Sequence, residues 1–320
     1  MSVNSDKPDR WKTDIAKSVD FYNDWFLRFA PKAYRDTRVK ATKQVEGALR
    51  LTSNLRSITS AVLRESPSIL AMLRMATAPP IARDRLTGLA GISRGLVHAM
   101  EVDNVVPPGM VSGTLDAELL KISYVIMKMA DKDIFPWLET GQEPTDLEVR
   151  RASTIVADRL CGTLTDPIVR NAQEKRQLAL IRQWLERRGY SYVPPGSGLK
   201  FDKMKRGTFA FRLSIPVKLK GSAKGVNIPV DVAIMPQQPQ NQRLPLLIEA
   251  KSAGDFTNPN KRRKEEAMKI AQLRDAYGGD IRYILFLCGY FDSGYLGYEA
   301  AEGIDWVWEH RIDDLTEFGV

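Results

Sequence analysis

The sequence predicts an α+β protein in which a helical N-terminal region is followed by a mixed β-sheet flanked by helices. The hydrophobic period carries the reading. From residue 11 to about residue 162 apolar side chains recur at steps of three and four, the spacing of one helical face. After residue 166 one further helix gives way to runs that alternate with period two, and residues 281–288, apolar but for Arg282, form a run typical of a strand buried on both faces. At 320 residues the chain exceeds the roughly 100–200 residues usual for one domain. The change of period is therefore read as a boundary, with a helical region at 1–165 and a sheet domain at 166–320.

Element by element, Ile15, Val19, Tyr22, Phe26 and Phe29 mark one face of the first helix. Ser66 and Pro67 are an N-cap and first-turn pair. Thr145 and Glu148 make a capping box that opens a helix expected to end near Gly162. Breakers at 78–80 and 105–109 divide the helical half without a long linker. Residues 91–95 match the G-x-S-x-G pattern of a hydrolase nucleophile elbow. The surrounding residues have helical character and supply no strand before the serine, so the match is set aside.

In the second half, Leu178, Ile181, Trp184 and Leu185 line a helix over 167–188 that Gly189 ends. Residues 208–219 then alternate, with Phe209, Phe211, Leu213, Ile215, Val217 and Leu219 on one face, and Pro216 marks an edge or a bulge. A second strand at 226–235 puts Ile228, Val230, Val232 and Ile234 on one side and Asn227, Asp231 and Ala233 on the other. A polar turn at 236–243 leads to a third strand at 244–251, a helix from about Asn258 and Pro259 to Tyr277, and the buried strand at 281–288.

The net charge is +8 and the sequence pI about 9.4. The charge is concentrated: residues 196–224 hold eight basic residues against one acid, and Lys261, Arg262, Arg263 and Lys264 follow. A polyanionic partner, double-stranded DNA, fits that pattern. Backbone contacts fall to Lys218, Lys220, Lys224, Lys261, Arg262 and Arg263, and base readout to Gln240 in the polar turn or Arg83 in the helical half. Two widely spaced cysteines speak against a disulfide framework. No signal segment and no run of about 18 apolar residues is seen, so a cytoplasmic protein with no membrane association is expected.

The chemistry is carried by Pro229, Val230 and Asp231 and, 18 positions after the aspartate, by Glu249, Ala250 and Lys251. Residues two apart on a strand share a face, so Glu249 and Lys251 project together, and Asp231 joins them if the two strands are neighbours. An E-x-K triplet alone reads equally well as a surface salt-bridge cluster, worth about 0–1 kcal/mol per exposed pair. Its order after a P-x-D strand, with an apolar strand ahead, a helix behind and basic runs around it, is what makes it specific. Two converging carboxylates repel unless a cation joins them, and an oxygen-only set from Asp231, Glu249 and the Ala250 carbonyl suits Mg²⁺. Lys251 would orient the attacking water and neutralise charge on phosphorus.

This arrangement resembles the PD-(D/E)xK nuclease superfamily, with one residue inserted in the usual Pro-Asp pair. The resemblance implies a further carboxylate from the preceding helix, for which Glu174 is favoured over Glu186. More closely, the stretches 21–26, 74–86 and 168–177 look like the XamI family of type II restriction endonucleases. That resemblance implies Mg²⁺-dependent double-strand cleavage at a palindrome, with GTCGAC, as for the namesake, the candidate site. It also implies 5′-phosphate products and a partner DNA methyltransferase; a palindrome read by identical subunits calls for a homodimer, with the helical region the candidate DNA clamp or dimerisation element. The rival readings are a structure-specific repair nuclease of the same fold and a DNA-binding protein without catalysis.

Overall fold

The computed structural model describes residues 2–195, 198–218, 225–238 and 244–320, without the side chains of Lys218, Asn258, Asn260, Lys261 and Arg262. In chain order the helices are α1 (Pro8–Leu51), α2 (Ser60–Glu65), α3 (Leu70–Met75), α4 (Arg83–Ala90), α5 (Arg94–His98), α6 (Ser112–Met129), α7 (Trp137–Thr140), α8 (Asp146–Arg187), α9 (Thr257–Tyr277) and α10 (Ser293–Ala301). The strands are β1 (Ser191–Tyr192), β2 (Thr208–Lys218), β3 (Gly225–Met235), β4 (Leu246–Ala253), β5 (Arg282–Gly289) and β6 (Asp305–Trp308). The α+β expectation holds. No helix among the described residues is long and apolar enough to cross a membrane.

Two compact units emerge. One comprises Met1–Phe29 and Arg170–Val320, the other Ala30–Val169. The second boundary lies four residues beyond the one read from the sequence, and the first 29 residues group with the sheet rather than with the helices that follow them. The helix opened by the Thr145 and Glu148 box does not stop near Gly162: α8 continues to Arg187 with Pro167 inside it. A proline in a helix interior costs about 3 kcal/mol. Buried side chains on both sides of it, Leu160 and Cys161 before and Leu178 and Ile181 after, hold the helical turns despite that loss.

The helical unit is built on a core that includes Val45, Leu49, Leu63, Leu73, Leu86, Leu119, Ile126, Phe135 and Val156. Its G-x-S-x-G stretch is no elbow. Gly91 ends α4 in the left-handed region (φ 59°), and Ser93 caps α5 by accepting from the Leu96 amide.

The other unit is a mixed sheet in sequential order, β1 to β6. β2, β3 and β4 are antiparallel neighbours, while β4, β5 and β6 run parallel, with α9 and α10 as the crossovers. On one face α9 and α10 bury Ile270, Leu273, Tyr295 and Leu296 against Leu247, Leu285 and Leu287. On the other face α8 packs Leu178, Ile181, Trp184 and Leu185 against Val232, Ile248 and Phe286. β5 is buried on both faces from Tyr283 onward, as its apolar run predicts.

One expectation fails where the site forms. β2 and β3 do not keep the same side chains on one face throughout. Phe209 and Phe211 pack on the α8 side, whereas Leu213, Ile215 and Val217 pack on the α9 side. In β3, Ile228 and Val230 face α9, and Val232 and Ile234 face α8. The exchange happens at Arg212, whose φ of 52° lies in the left-handed region, opposite Asp231. That conformation costs a non-glycine residue about 1–2 kcal/mol. It turns the pleat over, which strict alternation in the sequence could not reveal.

Candidate active site

The β3–β4 ladder is short, pairing Val232 with Ile248, Ala233 with Leu247 and Ile234 with Leu246. Beyond Val232 the strands part, and the Asp231 carboxylate takes the role a ladder carbonyl would have had: its Oδ2 accepts from the Ala250 amide at 2.8 Å. Asp231 therefore stands beside the E-x-K strand, held by the backbone of the triplet's central residue. Burial, followed by the charge of Glu249, pushes its carboxyl up to about 6. The Ala250 hydrogen bond acts in the opposite direction.

Glu249 and Lys251 share the α9 face of β4, as their spacing predicts, with the Lys251 ammonium 3.3 Å from Glu249 Oε1. Two residues not singled out in the sequence complete the group. Lys269 Nζ is 2.6 Å from the same Glu249 oxygen, and Glu266 Oε1 is 2.5 Å from Lys251 Nζ. Lysines and carboxylates thus alternate from Lys269 through Glu249 and Lys251 to Glu266. For Lys251, burial is the largest influence and pushes its ammonium down, yet Glu249 and Glu266 together carry it above the ordinary lysine value. Behind Glu266 lies the fully buried Glu299, pushed up to about 8 by burial and then by the Glu266 charge.

A signal for the missed pair was present. Glu266 and Lys269 fall with Ile270 and Leu273 at i, i+3, i+4 and i+7, so two charges sit on the apolar stripe of α9.

Glu174, on α8, accepts from Arg212 at 2.7 Å and adds a smaller upward push on Asp231. Glu186 instead pairs with Arg182 one turn away on the same helix, at 2.8 Å. Of the two helix carboxylates, the structure brings Glu174 to the site. Arg176 and Gln177 on the same helix also turn inward. Gln177 donates to the Lys251 carbonyl at 3.3 Å, and Arg176 pairs with the buried Glu309 at 2.9 Å.

The DNA-contact candidates are placed unevenly. Arg263 stacks over Tyr298, 4.8 Å from the ring centroid. Arg83 has its Nε on Glu101 at 2.7 Å. Lys220, Lys224 and Gln240 lie outside the described residues, as do the side chains of Lys218, Lys261 and Arg262.

Whether these residues suit a cation turns on one atom. Glu249 Oε2 is buried and has no hydrogen-bond partner among the described residues, while its carboxylate raises the proton affinity of Asp231. An unpaired buried carboxylate oxygen is costly, and a hard cation with oxygen ligands would remove that cost. No group of three or more His, Cys, Asp or Glu side chains among the described residues is gathered to hold an ion alone. Backbone, water or substrate oxygens would have to complete the shell. With that addition the donor set fits.

Comparison with known proteins fixes the class. The type II restriction enzyme SalI of Streptomyces albus G is 55% identical to this chain over 317 residues, covering 99% of each. The type II restriction enzyme XamI of Xanthomonas campestris pv. amaranthicola is 26% identical over 122 residues, 38% of this chain and 40% of that one. The chain is a type II restriction endonuclease, a site-specific deoxyribonuclease acting on double-stranded DNA within a restriction–modification system. The family model described as XamI restriction endonuclease matches residues 53–308, and the chain belongs to that family. A solved Vibrio cholerae protein, 14% identical, aligns over 80% of this chain and 56% of its own with a TM-score of 0.30, too low to bear on the fold. Family membership displaces both the repair-nuclease and the non-catalytic readings. Type II restriction enzymes as a class use divalent metal ions.

Proposed function

We propose that the splayed β3–β4 pair is the cleavage centre of a PD-(D/E)xK nuclease core, and that it makes Mg²⁺-dependent double-strand cuts at a short palindrome, leaving 5′-phosphates. The observation that supports it most is Glu249 Oε2, buried and without a hydrogen-bond partner among the described residues, beside Asp231, whose carboxyl burial and Glu249 push up to about 6. Asp231 and Glu249, with the Ala250 carbonyl, would hold the ion, and Glu174 would add a carboxylate from α8. When bound, Mg²⁺ would polarise the scissile phosphate and favour ionisation of the attacking water.

The chain's own residues do the rest. Lys251, fixed between Glu249 and Glu266, keeps a full positive charge at the site. That charge orients the attacking water and offsets the negative charge building on the phosphate oxygens. Asp231, fastened to the Ala250 amide, keeps the two strands in the relation that makes its carboxylate converge with Glu249.

GTCGAC is the candidate site, carried by family resemblance. A palindrome read by identical subunits calls for a two-fold dimer with one such centre per strand, and the system calls for a DNA methyltransferase that protects the host. The helical unit is assigned to clamping DNA or to dimerisation. Lys218, Lys220, Lys224, Lys261, Arg262 and Arg263 are assigned to phosphates, and Gln240 and Arg83 to bases.

The test is digestion of unmethylated DNA carrying one GTCGAC, in Mg²⁺ and in EDTA, by the native chain and by Asp231→Ala. Two fragments with 5′-phosphate ends are expected in Mg²⁺ only, with a rate loss of about a thousandfold or more in the variant. Fragments mapping elsewhere would sink the assigned sequence. An Asp231→Ala protein that still cuts at the native rate would sink the assigned centre.

A further inference from the structure

Two lysines reach the carboxylate to which the proposed function gives a divalent cation, and their surroundings differ. Lys251 has a second carboxylate, Glu266, at 2.5 Å, so it keeps an ion-pair partner however Glu249 is engaged. Lys269 has no carboxylate partner other than Glu249 among the described residues, and at 2.6 Å it is the nearer of the two. Its side chain keeps 23% of its exposure and ends a flexible four-carbon stem, so the ammonium can swing toward water without unpacking the core. Lys269 shares its stripe of α9 with the buried Ile270 and Leu273, so the helix beneath the stem is anchored while the ammonium is not.

A dication taken up by Glu249 would meet the Lys269 charge within a few ångströms, and like charges in a partly desolvated site repel strongly. We propose that Lys269 is an internal counter-ion of the metal-free enzyme: it neutralises Glu249 until a divalent ion binds, competes with that ion, and so sets the cation affinity of the free protein. The proposal rests on Glu249 being a cation ligand. It gives Lys269 a role distinct from that of Lys251, which is held for the chemical step, and it explains why a carboxylate with one unpaired buried oxygen is tolerated at all. One Glu249 oxygen carries both lysines, and the other has no partner among the described residues.

The experiment is calorimetric titration of the full-length, DNA-free protein with Ca²⁺, beside thermal melting in EDTA and in Ca²⁺. Lys269→Met should bind Ca²⁺ about tenfold more tightly than the native chain, the order expected for removing one partly buried competing charge. In EDTA it should melt lower, because Glu249 has lost its counter-ion, and Ca²⁺ should raise its melting temperature more than it raises that of the native protein. Lys269→Arg, which keeps the charge, should bind Ca²⁺ like the native chain. Glu249→Gln separates the two layers of the argument. If it abolishes Ca²⁺ binding while Lys269→Met leaves the affinity unchanged or weaker, Lys269 is only a structural partner and the counter-ion proposal is wrong. Should Glu249→Gln bind Ca²⁺ as the native chain does, the ligand assignment itself is wrong and the role of Lys269 goes with it.

Discussion

Glu101 in the helical unit and Glu249 in the sheet unit are both carboxylates withdrawn from water, with side chains 1% and 10% exposed, yet they are treated differently. Arg74 grips Glu101 in a fork, Nε to Oε1 at 2.5 Å and Nη2 to Oε2 at 2.7 Å, and Arg83 adds a second donor to Oε2. Arg74 also donates to the Ile81 carbonyl, so both charged groups are satisfied. Glu249 has two lysines on one oxygen and, among the described residues, nothing on the other. A buried ion pair closed by a planar bidentate guanidinium is finished as a structural device. One made of single-point ammonium contacts with an oxygen left over is prepared for something else. The same contrast separates Glu186, closed by Arg182 in a simple helix pair, from Glu174, held by the strained Arg212 and felt by Asp231.

The largest effect on stability should come from breaking the closed pair. Arg74→Met leaves Glu101 buried with only the half-exposed Arg83, and removing one partner of a buried ion pair costs about 3–5 kcal/mol. Denaturant unfolding should show that loss. A neutral Arg74→Met would mean that closure is not what distinguishes the two carboxylates. Next in size is the pair of helix glutamates. Glu174→Gln should slow single-turnover cleavage by about ten- to a hundredfold, roughly 1.4–2.7 kcal/mol on the barrier. Glu186→Gln, measured in the same assay, should leave the rate unchanged. Equal losses in both would erase the distinction drawn from Arg212.

How far the sequence exposed this contrast depends on the kind of signal each residue leaves. Glu249, Lys251 and Asp231 were legible because strand alternation and the order of the motif are properties of the sequence itself. The succession of three strands, a helix and a buried strand was legible from the same alternation and from the apolar character of β5, whereas the order of strands in the sheet and the parallel crossover through α9 were not. What stayed hidden was conformational. Nothing in the letters around Arg212 announces a left-handed strand residue, since arginine has no preference for that region. The flip of faces it causes was therefore read as unbroken alternation. Gly162 and Pro167 misled in the opposite direction, because local breaking signals lost to burial on either side of them. Glu266 and Lys269 lay in a run so rich in charge that their place on the apolar stripe of α9 did not stand out. The grouping of the first 29 residues with the sheet is a long-range contact, and periodicity carries no information about such contacts.

The smallest predicted effect sharpens the contrast most, because its sign is opposite to that of Arg74→Met. Asp231 has a carboxyl pushed up to about 6 in the folded protein by burial and Glu249, against an ordinary value of 3.8. Below the ordinary value both folded and unfolded chains hold the proton, and the group has no effect on stability. As pH rises from about 4 to about 6 the unfolded chain releases its proton first, so stability falls across that window and the cost is complete above it. In EDTA, Asp231→Asn should therefore melt a few degrees above the native protein at pH 7 and coincide with it near pH 4. Adding Ca²⁺ at pH 7 should reverse the order, since the native chain gains an ion that the amide cannot hold. A lower melting temperature for Asp231→Asn in EDTA at pH 7 would make the Ala250 hydrogen bond, rather than the unmet charge, the dominant influence on Asp231, and the site would then belong with Glu101 among the closed pairs.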